Sequence, residues 1–370
     1  MKTQNLKTQL QELSDVISGL RQGEYPDFVI KKKMSPQIPV FAYHRAEKNE
    51  FEAQLFYLHK NGYKTIDVDE YMHLHENNQE LPERTVVLTF DDGLKNLYDV
   101  AYPLLKTYRM QAVAFIMPGW IGKKGIITWE QANEMYRSGV IDFQSHTMYH
   151  TGIFIAPEVV DFYHPQYISY QIWNLPVMNV HKQDRYFEIP EPGTPIFKYA
   201  SRLSDHRRYY PDEAISDICV KYVRENGNED FFKKKNWRLT LEKLIEDYRQ
   251  THSFNGYYEA PEEQEKQIKA ELMNSKKEIE ANLPGKIVRH ISFPWNQVGK
   301  ITNKLLKVCG YETAYGGLSG EYATNNHIKL NYINRVNGDF ILRLPGKGRA
   351  SLANLFASKI KRRLMKGPQY

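Results

Sequence analysis

The chain has 370 residues, enough to bury a sizeable core in one large domain or two. Its two cysteines, Cys219 and Cys309, exclude a disulfide framework or a cysteine-built metal site and suit a reducing compartment. A net charge of +6 is a modest excess and gives no nucleic-acid signature.

The opening, Met1 to Leu6, lacks the apolar run of a signal peptide, and no stretch is long enough to span a bilayer. The expected location is therefore cytoplasmic. Residues 1–35 read as a polar helix, with Leu6, Leu10, Leu13 and Ile17 on one face, followed by a linker at Lys31-Lys32-Lys33. Ile38 to Tyr43 reads as a strand with His44 directly after it. A helical pattern over 50–61 stops at Gly62, a short strand follows at Thr65 to Val68, and Glu70 to Glu76 is helical.

Thr85 to Phe90 is a run of β-formers ending in Asp91, Asp92 and Gly93. Adjacent carboxylates resist joint ionisation unless a cation or a proton resolves the conflict. The pair thus suggests one metal ligand beside one proton acceptor. The alternative is a turn with solvated acids, because Asp-Gly is also a common turn dipeptide. Leu97, Ala101, Leu104 and Leu105 mark a helix broken or kinked at Pro103, and Ala112 to Met117 is the next strand. Thr128 to Ser138 is a helix with a capping box from Thr128 and Gln131. Gly139 ends it, and a short strand leads to His146.

His146 and His150 stand at i and i+4, the spacing that puts two imidazoles on one face of a helical turn within reach of one ion. The alternative is an ordinary surface pair. Beside the acids at another strand end, the metal reading is favoured. Zinc takes two His nitrogens and a carboxylate oxygen and leaves a fourth position open.

Seven prolines, Pro157 to Pro211, punctuate an aromatic-rich segment over 154–258 that breaks the strand–helix alternation and reads as an insertion. Most of its aromatics are expected to form a small core of their own, with a few reaching the cleft. Within it, Pro211 to Glu225 is expected as a helix with Pro211 at its first position, and Trp237 to His252 as another. Glu262 to Leu283 is a helix, Lys286 to Phe293 a strand, Lys300 to Val308 a helix, and Tyr311 to Tyr315 and Ile328 to Val336 the last strands. In the tail, Leu352, Leu355, Phe356, Ile360 and Leu364 keep helical spacing among Lys359, Lys361, Arg362, Arg363 and Lys366. Such a basic amphipathic helix either lies on an anionic membrane or packs on the body with its basic face in water.

Thr89-Phe90-Asp91-Asp92-Gly93 followed by Ser145-His146-Thr147-Met148-Tyr149-His150 resembles the first two motifs of the polysaccharide deacetylases, the NodB-homology domain of carbohydrate esterase family 4. Ile38 to Arg45, Phe51 to Tyr63 and Ile291-Ser292-Phe293-Pro294-Trp295 are similar to the poly-N-acetylglucosamine deacetylase branch. The likeness covers roughly residues 36–153 and 260–335. It implies an α/β fold, a distorted (β/α) barrel at 36–345 interrupted by the 154–258 insertion and followed by the basic tail at 346–370. It also implies Asp92, His146 and His150 as ligands of one divalent metal, zinc foremost, and Asp91 as general base. Pro294 and Trp295 would line the sugar groove, with a backbone N–H near Trp295 helping to hold the oxyanion.

Two departures from the family pattern stand out. The third motif has no arginine to orient the base, and Asn296 stands where glycine is usual. No Leu-x-His near the C-terminus supplies the general acid, which leaves His44 as the best-placed histidine, ahead of His290 and His327. The expected function is metal-dependent removal of acetyl from an N-acetylated amino sugar, in a polysaccharide or a lipid-linked glycan at the membrane face. The alternatives are a catalytically silent sugar-binding relic of the same fold and a deacylase or deformylase of another sugar amide.

Overall fold

A computed structural model describes residues 18–34, 37–76, 82–166, 174–253, 255–317 and 331–366. All eight residues of the strand Thr85–Asp92 are buried, as in a parallel strand covered on both faces, with Val86, Val87, Leu88 and Phe90 as its apolar part. Seven strands close on one another: β1 (Val40–Tyr43), β2 (Thr85–Asp92), β3 (Ala112–Ile116), β4 (Ile141–Ser145), β5 (His290–Ser292), β6 (Thr313–Gly317) and β7 (Asn331–Asn337). Every neighbouring pair is parallel, in the order β1-β7-β6-β5-β4-β3-β2, and β1 pairs with β2 to close the ring. The two-residue strand Lys64–Thr65 joins the start of β2, while β1 pairs with its middle, Val87 to Phe90. The expected distorted (β/α) barrel is the fold observed.

Local chemistry accounts for several connections. Thr128 accepts from the Gln131 amide while the Gln131 side chain accepts from the Thr128 amide, so the capping box starts the helix Trp129–Arg137 as expected. Pro103 does not break its helix. A π-turn over Leu97–Ala101 runs directly into the α-helix Tyr102–Tyr108, so the helical path continues through Pro103 with its irregularity in the turn just before it. The strand expected over Lys286 to Phe293 shortens to β5, since Lys286 turns away to pair with Asp142. The expected N-terminal helix face, Leu6 to Ile17, lies outside the described residues.

The chain divides into two compact units, residues 1–146, 275–296 and 310–370 holding the barrel, and residues 147–274 with 297–309. In the second, Gly152–Phe162 pairs antiparallel with Pro195–Ser201, and the helices Glu213–Glu225 and Trp237–Thr251 follow. The first of these helices is capped by Asp212, whose side chain accepts from the Ala214 amide. Pro211 therefore precedes the cap instead of occupying the first helical position. Phe154, Phe162, Phe197, Tyr209, Phe231 and Phe232 are buried in this unit's own core, the use expected for most of its aromatics. The helix Leu352–Lys366 ends the described chain; Ile360 and Lys361 on it are exposed.

At the N-terminal end of the barrel, buried His290 opens β5 and contacts Thr313 Oγ1 at 2.5 Å and Asp69 Oδ1 at 3.1 Å. The hydrogen bond from His290, opposed by partial burial, holds the Asp69 carboxyl down to about 2. A depressed acid stabilises the fold above its ordinary value of 3.8 and loses that contribution as pH falls toward about 2. Asp69→Asn should therefore lower stability at about pH 6 in urea titrations, and the gap from wild type should vanish between about pH 4 and pH 2. A gap that persists at the acid end would contradict this assignment.

Candidate active site

Asp91 and Asp92 end β2 and are both buried. Asp92 and Gly93 each have φ of +71°, so the chain leaves the strand through two left-handed residues. A Cβ at Gly93 would lie 3.0 Å from Ile116 Cγ2, so this position needs glycine for both conformation and space. Arg335, on β7, grips Asp91 with both arms of its guanidinium: Nη1 donates to Oδ1 and Nη2 to Oδ2, each at 2.7 Å. The same nitrogens reach Thr89 Oγ1 at 3.1 Å and Ser292 Oγ at 2.7 Å, and the guanidinium lies 5.4 Å from the centre of the Phe115 ring. Burial alone would push the Asp91 carboxyl up. Arg335 and His146 outweigh it and hold the group below its ordinary value.

His146 directly follows β4, and its Nδ1 lies 2.9 Å from the Ser292 carbonyl oxygen. A carbonyl can only accept, so Nδ1 carries a proton; in the neutral ring Nε2 presents a lone pair. That lone pair faces Asp92 Oδ1 at 3.4 Å. Positive charge beside Asp92 can come from the protonated ring, or from an ion that takes the Nε2 lone pair of the neutral ring. Burial lowers the His146 pKa, but Asp91 and Asp92 overcome this and raise it, so the two acids favour positive charge at this place. Ligand atoms of Asp92, His146 and His150 all lie within 4.8 Å of one another. Zinc bonds of about 2.1 Å set tetrahedral ligands roughly 3.4 Å apart, so the donor set fits one ion with small adjustments.

The segment from His146 to His150 is not a helical turn, as its spacing suggested. Thr147 has φ of +66° and His150 +57°, and the segment is an irregular loop. The two imidazoles converge because the backbone twice enters the left-handed region, not because they share a helix face.

His44 follows β1, half-buried, and is among the electrostatic neighbours of Asp91. Pro294 and Trp295 follow β5; Pro294 is buried, while Trp295 is 37% exposed with φ of +50°. Asn296, at φ +56°, takes a conformation that asparagine tolerates better than most residues, which accounts for its standing in for glycine. Its Oδ1 accepts from the Gly317 amide at 3.0 Å and the Tyr332 hydroxyl at 2.7 Å. A Cβ at Gly316 would fall 2.0 Å from that oxygen, so glycine permits the contact. One histidine drops out as an acid candidate. His290 sits at the opposite end of its strand, engaged with Asp69 and Thr313, and His327 lies outside the described residues.

Arg335 is the residue that sequence reasoning missed. It was visible only as an arginine near the end of the last strand. The missing third-motif arginine and an acid pair in need of a cation were the signals that could have singled it out.

The family model for polysaccharide deacetylase matches residues 78–174. YxkH of Bacillus subtilis, named for the same family, is 38% identical over 129 residues, 33% of this chain and 46% of that protein. A poly-β-1,6-N-acetyl-D-glucosamine N-deacetylase of Staphylococcus aureus is 30% identical over 105 residues, 27% of this chain and 36% of that one. The chain thus spans less than half the length of these relatives. The solved structure of a de-N-acetylase from Aggregatibacter actinomycetemcomitans shares the fold, with a TM-score of 0.50 and 18% identity over 86% of this chain and 98% of that one. The motifs around Asp91 and His146 both lie within residues 78–174, the part of the chain that matches the polysaccharide deacetylase family model.

Proposed function

We propose that the protein removes the acetyl group from an N-acetylated amino sugar in a polysaccharide or lipid-linked glycan. The observation that carries this reading is the Asp91–Arg335 pair beside the Asp92, His146 and His150 donor set. Asp92, His146 and His150 would hold one divalent ion, with zinc the proposed metal. Such an ion supplies Lewis-acid polarisation of the amide carbonyl and eases ionisation of water.

The chain's own residues account for the proton movements. Asp91 takes a proton from the attacking water as its oxygen bonds to the carbonyl carbon. Arg335 keeps both Asp91 oxygens fixed and keeps the carboxyl ionised and ready to accept. When the C–N bond breaks, His44 is the proposed donor to the departing sugar nitrogen, leaving acetate and a free amine. A backbone N–H near Trp295 would help hold the developing oxyanion, with Pro294 and the half-exposed Trp295 ring lining the sugar groove.

No described helix is long and apolar enough to cross a membrane. The helix Leu352–Lys366, with Ile360 and Lys361 exposed, supports a proposed place of work at the anionic cytoplasmic face of a membrane. Deletion of residues 352–370 should then release the protein from phosphatidylserine vesicles in a sedimentation assay; retention equal to wild type rejects that surface.

Acetate release from N-acetylglucosamine oligomers with zinc present tests the activity. Asp91→Asn should lower the rate by about 10³-fold or more, and Arg335→Lys, which keeps the charge but loses the two-armed grip, by about 10²-fold. Wild type that binds the oligomers and releases no acetate would make the protein a silent sugar-binding module. Release of formate or another acid from matched substrates, in place of acetate, would move the activity to a different sugar amide.

A further inference from the structure

The loop that carries His150 is held in an unfavourable backbone shape. Thr147 is β-branched, and a β-branched residue at φ of +66° is a conformational outlier that surrounding contacts must enforce. His150, at +57°, is a second left-handed residue within the same turn.

Those contacts converge on one side chain. Glu271, on the helix Pro261–Asn282, is 8% exposed. Its Oε1 accepts from the Tyr149 amide at 2.8 Å and from Thr151 Oγ1 at 3.1 Å, and the Thr147 side chain hydrogen-bonds the same carboxylate. Thr147 Oγ1 in turn accepts from the His150 amide at 3.1 Å. A hydroxyl has one proton to give; with its lone pair taken by His150, Thr147 donates that proton to Glu271. The loop is thereby tied to Glu271 directly at residues 147, 149 and 151, and at residue 150 through Thr147. The Tyr149 ring stacks on Tyr186, centres 4.3 Å apart, which adds an apolar contact on the same loop.

A carboxylate is a costly group to bury at this place if packing alone were needed. Arg202, the cation among the influences on Glu271, has its own two-armed partner in Glu259, at 2.5 and 2.6 Å. Glu271 is met instead by donors of the His150 loop. Its geometry matches what a loop in two left-handed conformations needs: an acceptor able to take several hydrogen bonds from one side.

We propose that Glu271 is the positioning residue for His150, fixing the loop so that its imidazole is aimed at the place where Asp92 and His146 converge. This rests on the metal-site reading above. Groups that hold a metal ligand in place typically affect affinity by about 10- to 100-fold, so the effect is measurable without any turnover.

The test is zinc affinity by competition with a chromophoric chelator, together with the visible spectrum of the cobalt-loaded protein. Glu271→Ala should weaken zinc binding by about 10- to 100-fold and alter the cobalt bands. Glu271→Gln, which keeps an acceptor for the Tyr149 amide, should recover most of the affinity. A folded Glu271→Ala protein with wild-type zinc affinity and an unchanged cobalt spectrum overturns the proposal. If that variant fails to fold, Thr147→Val decides: it removes the hydroxyl and leaves the carboxylate, so weaker zinc binding supports the proposal and unchanged binding overturns it. Wild type that binds neither zinc nor cobalt would instead reject the metal reading, and this inference with it.

Discussion

Two carboxylates side by side in a buried strand end cannot both remain charged without help, and the site is organised around that constraint. Arg335 resolves half of it by taking both oxygens of Asp91 in one planar grip. Asp92 is left to the histidine side, where Nε2 of His146 faces it at 3.4 Å. The two acids thus acquire different roles from different neighbours. Losing either partner of a buried pair such as Asp91 and Arg335 typically costs about 3–5 kcal/mol, because the other charge is stranded. The arginine belongs to the architecture as much as to the chemistry.

Barrel closure is what makes this arrangement possible. Arg335 reaches Asp91 because β7 and β2 both flank β1, and the parallel sense of every strand gathers their C-terminal ends at one place. Thr89 links the layers: its hydroxyl donates to the Phe41 carbonyl on β1 and accepts from Arg335. At the other end of the barrel, His290, Thr313 and Asp69 fasten β5 and β6 to the helix Val68–Glu76. Strand ends on one side carry the proposed site, and those on the other carry contacts that hold the barrel together. That division explains why a histidine so close in sequence to Ser292 takes no part in the site.

Features fixed by neighbouring residues were legible in the sequence. The run of β-formers into Asp91 marked β2, the Thr128–Gln131 pair marked a helix start, and Gly62 and Gly139 marked helix ends. The donor set Asp92, His146 and His150 was legible too, through its resemblance to known motifs. What failed depended on contacts far along the chain or on backbone strain. Arg335 and Asp91 are 244 positions apart, so no local pattern links them. The i, i+4 spacing of the histidines suggested a helix, whereas positive φ at Thr147 runs against that residue's own preference and is enforced from outside the loop. Pro211 is a different case, a local one: the adjacent Asp212 offered a cap, and the cap set the helix start.

The central claim is that Asp92, His146 and His150 hold one divalent ion beside an Asp91 kept ionised by Arg335. Metal content of the purified protein, wild type beside His146→Ala, tests it most directly. About one zinc or similar ion per chain in wild type, absent from a folded His146→Ala protein, is the predicted result. Wild type without metal even after incubation with zinc, or a variant that retains it in full, would contradict the account.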